Sequence, residues 1–296
     1  MKKLTLIPVL ALGLLLTTDV AAQSSNDDEL KEAAIEALIT APPQRALPLV
    51  NKVLAGEHSN DIKEKALFIL SQINLPEAQA SLQRYATDGS GELQHEAIRM
   101  IGIGGHPDSL AQLRGIYDSG NHDTREAVLE ALMIAGDKDA VFTIAQQADG
   151  RDFEEAVEML AVMGATDELR QLRTTRGPSE ALVEACAISD DLQCLREIAA
   201  DKSNGEAQLE AIESMGIIGG NAVNATLVEI YQGAERNDIR EAALDGMLIS
   251  GYDEGVLMLY QSSDDNREKK ELLERLVIMN SDEVWDLIDA ALDGTE

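Results

Sequence analysis

The chain has 296 residues, with 54 acidic and 24 basic side chains, and its formal net charge is −30 at pH 7. Nucleic acids and anionic lipids repel such a chain, and an aromatic content of 3% provides few side chains for stacking on bases or sugars. The acidity has two interpretations, a surface that recruits basic partners or cations and a device for solubility in salty surroundings. The acidic residues are spread along the whole chain, which favours the second interpretation.

The first 22 residues have the pattern of a cleavable secretory signal. Two lysines precede an apolar stretch at 4–16, which is too short to span a bilayer comfortably. Val20 and Ala22 put small residues at the two positions that a signal peptidase reads, and Gln23 follows. We therefore expect residues 1–22 to be a signal peptide and the mature chain to be periplasmic or secreted, without insertion into the membrane. The alternative is an uncleaved membrane anchor.

Two long segments of the chain repeat each other. The segment from Glu96 to Tyr117 aligns with the segment from Glu210 to Tyr231 at an offset of 114, and ten of 22 positions are identical. A shorter period lies within this repeat, marked by an alanine near the start of each unit. That alanine occurs at Ala33, Ala66, Ala97, Ala127, Ala156, Ala181, Ala211 and Ala242, and Glu271 takes its place in a ninth unit. Intervals near thirty residues predict about nine stacked supersecondary units.

Each unit has the pattern of two helices. In the fourth unit, Asp123 stands where it can cap a helix, apolar residues then recur at spacings of three and four, and Gly136 follows as a helix stop. A short polar turn and a second, shorter apolar stretch complete the unit. No stretch alternates as a β-strand does, so the predicted class is all-α, an α-solenoid (superhelix) of helical hairpins.

The recurring Asp-x-Arg-x-Ala start is similar to that of HEAT repeats, and most similar to the short bacterial HEAT-like type also seen in phycobilisome lyases. It occurs at Asp123, Arg125 and Ala127, and again at Asp238, Arg240 and Ala242. The resemblance covers roughly residues 27–292 and implies a solenoid over 23–296. Its caps would lie at about 27–55 and 267–296, and we expect Trp285 to help close the end of the core.

The resemblance also implies that partners bind along the concave face formed by the second helices. Counting back from the tyrosines that end these helices leaves outward positions for a protein partner. These candidate partner-binding residues are Gln83, Gln112, Arg114, Thr226 and Glu229.

The function predicted from the sequence is that of a non-catalytic exported scaffold or adaptor that binds a partner protein. The alternatives are a regulatory or structural subunit of an envelope complex and a lyase-like accessory enzyme. The sequence shows no convergent set of reactive residues and no cofactor motif, and none of its four histidines has the spacing of a metal ligand pair. We therefore predict no catalytic residue, no cofactor and no metal site.

Cys186 and Cys194 are the only cysteines, and they lie at similar distances on either side of a turn at 189–191. A helical hairpin would place them opposite each other, and export would permit a disulfide. Closing so short a loop would add roughly 2–3 kcal/mol at most in the chain-entropy model. Two reduced core thiols and a redox site are the alternatives.

Overall fold

The computed structural model describes residues 30–281 and 283–293, and these residues form helices and turns without any strand. They contain eighteen α-helices, the number that nine helical hairpins require. The predicted all-α class is thereby confirmed. Among the described helices, none has both the length and the apolar character needed to cross a bilayer. The predicted signal peptide at 1–22 lies outside the described residues.

The chain divides into two compact units, the first ending at Ala135 and the second beginning at Gly136. Odd-numbered helices are first helices of the repeat, and even-numbered helices are second helices. Unit 1 contains α1 (30–37, continued by the 3₁₀ turn Leu38–Thr40), α2 (Pro43–Ala55), α3 (Asn60–Gln72), α4 (Pro76–Asp88), α5 (Glu92–Gly104), α6 (Pro107–Ser119) and α7 (His122–Ala135).

Unit 2 contains the remaining eleven described helices. They are α8 (Lys138–Gln147), α9 (Arg151–Val162), α10 (Thr166–Arg176), α11 (Glu180–Ile188), α12 (Leu192–Ala200), α13 (Gly205–Ile218), α14 (Asn221–Gly233), α15 (Asn237–Ile249), α16 (Asp253–Ser262), α17 (Asn266–Met279) and α18 (Val284–Asp293).

Helix α9 shows why these segments fold as they do. Phe153, Ala156, Val157 and Leu160 recur at spacings of three and four and are all buried, while the opposite side of the helix is charged. The helix ends at Val162, and Gly164 two residues later has a φ of 63°, a left-handed conformation that glycine adopts without strain. One apolar stripe is therefore available for neighbouring helices, and the other side faces water.

Within each unit, first helices pack side by side and second helices fill the space between them. In unit 1, α3 packs against α5 and α5 against α7. In unit 2, α9 packs against α11, α11 against α13, and α13 against α15, while α12 and α14 lie against the first helix of the following repeat. The core of each unit is therefore a continuous seam between neighbouring hairpins, as the repeat predicts.

Small residues set the closest approach between first helices in both units. In unit 1, a Cβ atom on Gly102 would lie 2.4 Å from the carbonyl oxygen of Ala131. In unit 2, a Cβ atom on Gly216 would lie 2.5 Å from the Cα atom of Gly246. Gly102 and Gly216 are separated by the 114-residue offset of the long repeat, so equal sequence positions form equal helix crossings.

The expectation for Trp285 is wrong. Its side chain is 60% exposed, whereas the preceding Val284 is fully buried. Val284 thus occupies the inward position of α18, and the helical period turns the next residue towards solvent.

Candidate interaction surface

Three of the predicted partner-binding residues lie on the second helices of unit 1, where they make local contacts. Gln83 is half-buried and donates to the hydroxyl of Thr87 over 3.4 Å. Gln112 is exposed and donates to the carbonyl oxygen of Asp108 on its own helix. Arg114 forms an ion pair with Asp118 at 2.9 Å. All three contacts are within one helix, so they leave these side chains near the surface of unit 1.

The other two predicted residues lie on α14 in unit 2 and have different surroundings. Glu229 is exposed, as expected. Thr226 is only 4% exposed, so its prediction as an outward position is wrong. The reason is Arg196 of α12, whose guanidinium donates to the Thr226 hydroxyl and, over 2.9 Å, to the carbonyl oxygen of Ala222.

Arginines join the second helices of unit 2 to one another. Arg170 and Arg173 of α10 reach Asp191, which caps α12, and Glu197 within α12. Arg196 of α12 then reaches α14 through the contacts described above. These arginine contacts therefore hold α10, α12 and α14 of unit 2 together.

The first helices of unit 2 present a different surface, with one exposed β-branched residue at the same place in each helix. It is the last or second-last residue of the helix, and a residue with positive φ follows two positions later. We call this set the apolar ridge, and it consists of Val162, Ile188, Ile217, Ile249 and Ile278, which are between 46% and 75% exposed.

The helix ends do not require these apolar side chains. At the end of α9 the amide of Ala165 donates to the carbonyl of Leu160, and the amide of Gly164 donates to that of Ala161. In this cap the supporting apolar contact joins Leu160 and Ala165, both buried, and leaves Val162 outside it. The same pair of bonds closes α11, α15 and α17. An exposed β-branched residue slightly disfavours a helix, so the ridge has no evident role in the stability of unit 2.

A row of carboxylates lies one helical turn before the apolar ridge. Residues four apart share one side of a helix, so each acid adjoins its ridge residue. This acidic row consists of Glu158, Glu184, Glu213, Asp245 and Glu274. Asp245 pairs with Arg275 at 2.8 Å and Glu274 lies 3.7 Å from Lys270. Glu158, Glu184 and Glu213 are exposed and form no ion pair within the described residues.

The middle of this surface lacks basic residues. Helices α11 and α13 together carry five glutamates and neither lysine nor arginine. Glu210 of α13 is half-buried, and its Oε2 atom has no hydrogen-bond partner within the described residues. Burial, and then the negative charges of Glu180 and Glu184, raise the pKa of the Glu210 carboxyl above its usual value. Repulsion between carboxylates therefore acts on Glu210 from both of these helices.

Unit 1 carries the same pattern on its last two first helices. Ile103 of α5 and Ile134 of α7 are exposed and precede Gly105 and Gly136, both of which have positive φ. Glu130 stands one turn before Ile134, whereas Arg99 stands one turn before Ile103. The pattern is thus a general feature of the repeat, and it is most acidic in unit 2.

Comparison with known families agrees with this geometry, because residues 82–161 match the family model of HEAT repeats. Residues 82–161 are therefore HEAT repeats. The family likeness predicted from the Asp-x-Arg-x-Ala starts is thereby confirmed. No curated protein matches this chain in sequence.

Solved structures with a similar arrangement include the complex of CpcE and CpcF of phycocyanin lyase from Nostoc sp. PCC7120. The identity is 18%, the match covers 81% of this chain and 95% of that chain, and the TM-score is 0.35. Human deoxyhypusine hydroxylase in complex with glycerol is also similar, at 18% identity, with 91% and 93% of the two chains covered and a TM-score of 0.33.

Cys186 and Cys194 form a disulfide in unit 2. The bond joins the last turn of α11 to α12, with the two Cα atoms 6.0 Å apart, and both residues are fully buried. Asp191 lies between them and caps α12 by accepting from the amide of Cys194. The disulfide therefore fixes the turn that directly follows Ile188 of the apolar ridge.

The apolar ridge does not appear when the repeats are aligned on their alanines, because the ridge positions then fail to coincide. The alanine stands six residues before the ridge position in α9 and seven before it in α11, because the repeats differ in length. Alignment on the residues with positive φ makes the pattern regular, with Ile or Val always two positions earlier. In the sequence the signal is Ile or Val two residues before a glycine, Asp190 or Asn280.

Proposed function

We propose that this HEAT-repeat protein is an exported, non-catalytic scaffold that binds a partner protein through the apolar ridge and acidic row of unit 2. Stacked helical repeats form extended surfaces suited to binding other proteins. The apolar ridge carries the proposal, because exposed apolar side chains aligned over five helices typically mark an interaction site.

Export is supported by two independent features. The pattern of residues 1–22 is that of a secretory signal, and the disulfide between Cys186 and Cys194 suits an oxidising compartment. The mass of the protein isolated from the periplasm or the medium tests this part of the proposal. We expect a mature chain that begins at Gln23, and a chain that retains residues 1–22 would contradict it.

Site-specific photo-crosslinking tests the binding surface directly. A photo-reactive amino acid at Ile217, the most exposed residue of the apolar ridge, should form a covalent adduct with another protein in living cells. The same amino acid at Glu229, exposed on second helix α14, should form none. Adducts at Glu229 without adducts at Ile217 would assign binding to the second helices and overturn the proposal.

Removal of the ridge provides a second, independent measurement. In a pull-down, the double variant Ile217→Ser, Ile249→Ser should no longer bind the protein that crosslinks at Ile217. Met258→Ser removes a comparably exposed apolar residue from second helix α16 and should retain it. Equal retention by both variants would show that the ridge is not the binding surface.

A further inference from the structure

The acidic row and the apolar ridge together restrict the chemistry of whatever binds them. A partner must present apolar side chains in a line, and it must bring positive charge to helices α11 and α13, which carry five glutamates and no basic residue. Exposed carboxylates of Asp167, Asp190 and Glu254 follow the ridge beyond the turns. Acidic residues therefore occur in the sequence on both sides of the ridge positions.

We propose that the apolar ridge and acidic row of unit 2 bind a lysine- and arginine-rich amphipathic helix of another protein. This inference rests on the proposed function and names the partner's chemical class. Apolar residues of the partner helix would cover Val162, Ile188, Ile217, Ile249 and Ile278. Its basic residues would lie beside Glu158, Glu184 and Glu213, which form no ion pair within the described part of the chain.

The spacing of the ridge favours a helix over a β-strand. Packed helices lie about 8–10 Å apart, so ridge residues on α9, α11, α13 and α15, which pack in succession, have about that spacing. Seven residues of an α-helix rise about 10.5 Å and return to nearly the same side of the helix. In a strand, three residues cover about 10 Å, but alternation turns the third residue to the opposite face. A helix with one apolar residue in every seven therefore matches the ridge.

Electrostatics argues against the other occupants of such a surface. A second copy of this chain would bring a net charge of −30 against the acidic row. An anionic membrane would be repelled in the same way. A cationic helix instead removes the repulsion around Glu210, whose Oε2 atom has no partner within the described residues. A cationic occupant thus lowers the repulsion between the carboxylates of this surface, whereas a negative or neutral occupant leaves their charge uncompensated.

The test uses the mature protein and a synthetic peptide of about 30 residues, long enough as a helix to cross five first helices. The peptide carries leucine at one position in every seven, with lysines beside each leucine and alanine elsewhere. A second peptide has the same composition with its leucines dispersed around the helix. Binding is measured by fluorescence anisotropy at low and at high salt.

We expect the patterned peptide to bind, and its affinity to fall as salt is added. The double variants Ile217→Ser, Ile249→Ser and Glu184→Gln, Glu213→Gln should each weaken binding at least about tenfold. The controls Met258→Ser and Glu229→Gln lie on second helices and should change it by less than about twofold. Circular dichroism spectra of all variants should match the wild type, since each altered side chain is exposed.

Four results would overturn the inference. They are equal binding of the dispersed peptide, equal binding to ridge variants and controls, affinity that does not change with salt, and dimerisation of the protein that is lost in Ile217→Ser, Ile249→Ser. Absence of peptide binding also overturns it. If photo-crosslinking at Ile217 nevertheless captures a protein, the proposed scaffold function stands and only the partner's chemical class is wrong.

Discussion

Gly216 of α13 and Gly246 of α15 meet at a close crossing of two first helices of unit 2, since a Cβ atom on Gly216 would lie 2.5 Å from the Cα atom of Gly246. The backbone of a neighbouring helix cannot move aside for an added Cβ atom as a flexible side chain can. The stack therefore depends on glycine here for close approach, not for unusual dihedral angles.

Gly216→Ala should accordingly destabilise the protein by about 1–3 kcal/mol, because the added methyl group forces α13 and α15 apart. Gly115→Ala is the matched control, since it changes a glycine inside helix α6 that has open space around its Cβ position. That control should be neutral or stabilising by up to about 1 kcal/mol, as alanine favours a helix. Urea denaturation of both variants measures the free energy of unfolding, and equal effects would refute close packing at Gly216.

The disulfide between Cys186 and Cys194 should stabilise the protein by reducing the number of conformations available to the unfolded chain. Replacing both cysteines by alanine should lower the free energy of unfolding by about 2–3 kcal/mol. A reductant should lower the stability of the wild type by a similar amount and leave the double variant unchanged. Under native conditions without reductant, a thiol reagent should label no cysteine, and two labelled thiols would contradict the bond.

Asp191 joins three elements of unit 2 and should be a sensitive position. Its Oδ1 atom accepts from the amide of Cys194 at 3.1 Å and from Arg170 at 2.9 Å, and its side chain is 5% exposed. Asp191→Ala should cost about 2–3 kcal/mol by removing a helix cap and the buried carboxylate of an ion pair with Arg170. Asp191→Asn keeps an acceptor for the cap and should cost about half as much.

Asp167→Asn is the matched control for Asp191. Asp167 also lies near Arg170, at 3.8 Å, but its side chain is 93% exposed. Its replacement should change the free energy of unfolding by no more than about 0.5 kcal/mol. If both asparagine variants lose the same stability, the role assigned to the buried position of Asp191 is wrong.

Glu210 should make the stability of unit 2 depend on pH. Burial and neighbouring glutamates raise the pKa of its carboxyl in the folded state above the usual 4.5. The ionised form therefore destabilises the fold at pH values above the raised pKa, and this penalty disappears below 4.5, where the carboxyl is protonated in folded and unfolded chains alike. Glu210→Gln should stabilise the protein by roughly 0.5 kcal/mol near neutral pH.

The measurement compares wild type and Glu210→Gln by denaturation near neutral pH and about one unit below the usual carboxyl pKa. The difference should be present at the first pH and absent at the second. Glu229→Gln, at an exposed position on a second helix, is the control for the substitution itself. A constant gain for Glu210→Gln at both pH values would assign the effect to packing rather than charge.

The fold could be predicted from the sequence because equal positions in the repeat make equal contacts between neighbouring hairpins. The 114-residue offset pairs Gly102 with Gly216, and each lies at a tight helix crossing. Thr226 shows where sequence reasoning stops, because the helical period predicts an outward position but does not reveal that Arg196 of a neighbouring helix covers it. The apolar ridge could not be predicted from the alanine repeat for another reason. The ridge positions coincide only when the repeats are aligned on their positive-φ residues, and not when they are aligned on the alanines.

The separation of charge in unit 2 has a consequence for encounters in solution. Arg170, Arg173 and Arg196 belong to second helices and contact neighbouring hairpins. The glutamates of α11 and α13, which form no ion pair among the residues that the structure describes, belong to first helices. These glutamates should attract an approaching cationic molecule to the first-helix side of unit 2 before contact. Productive collisions would then come mainly from one direction, so the association rate would depend on ionic strength more steeply than the lifetime of the complex.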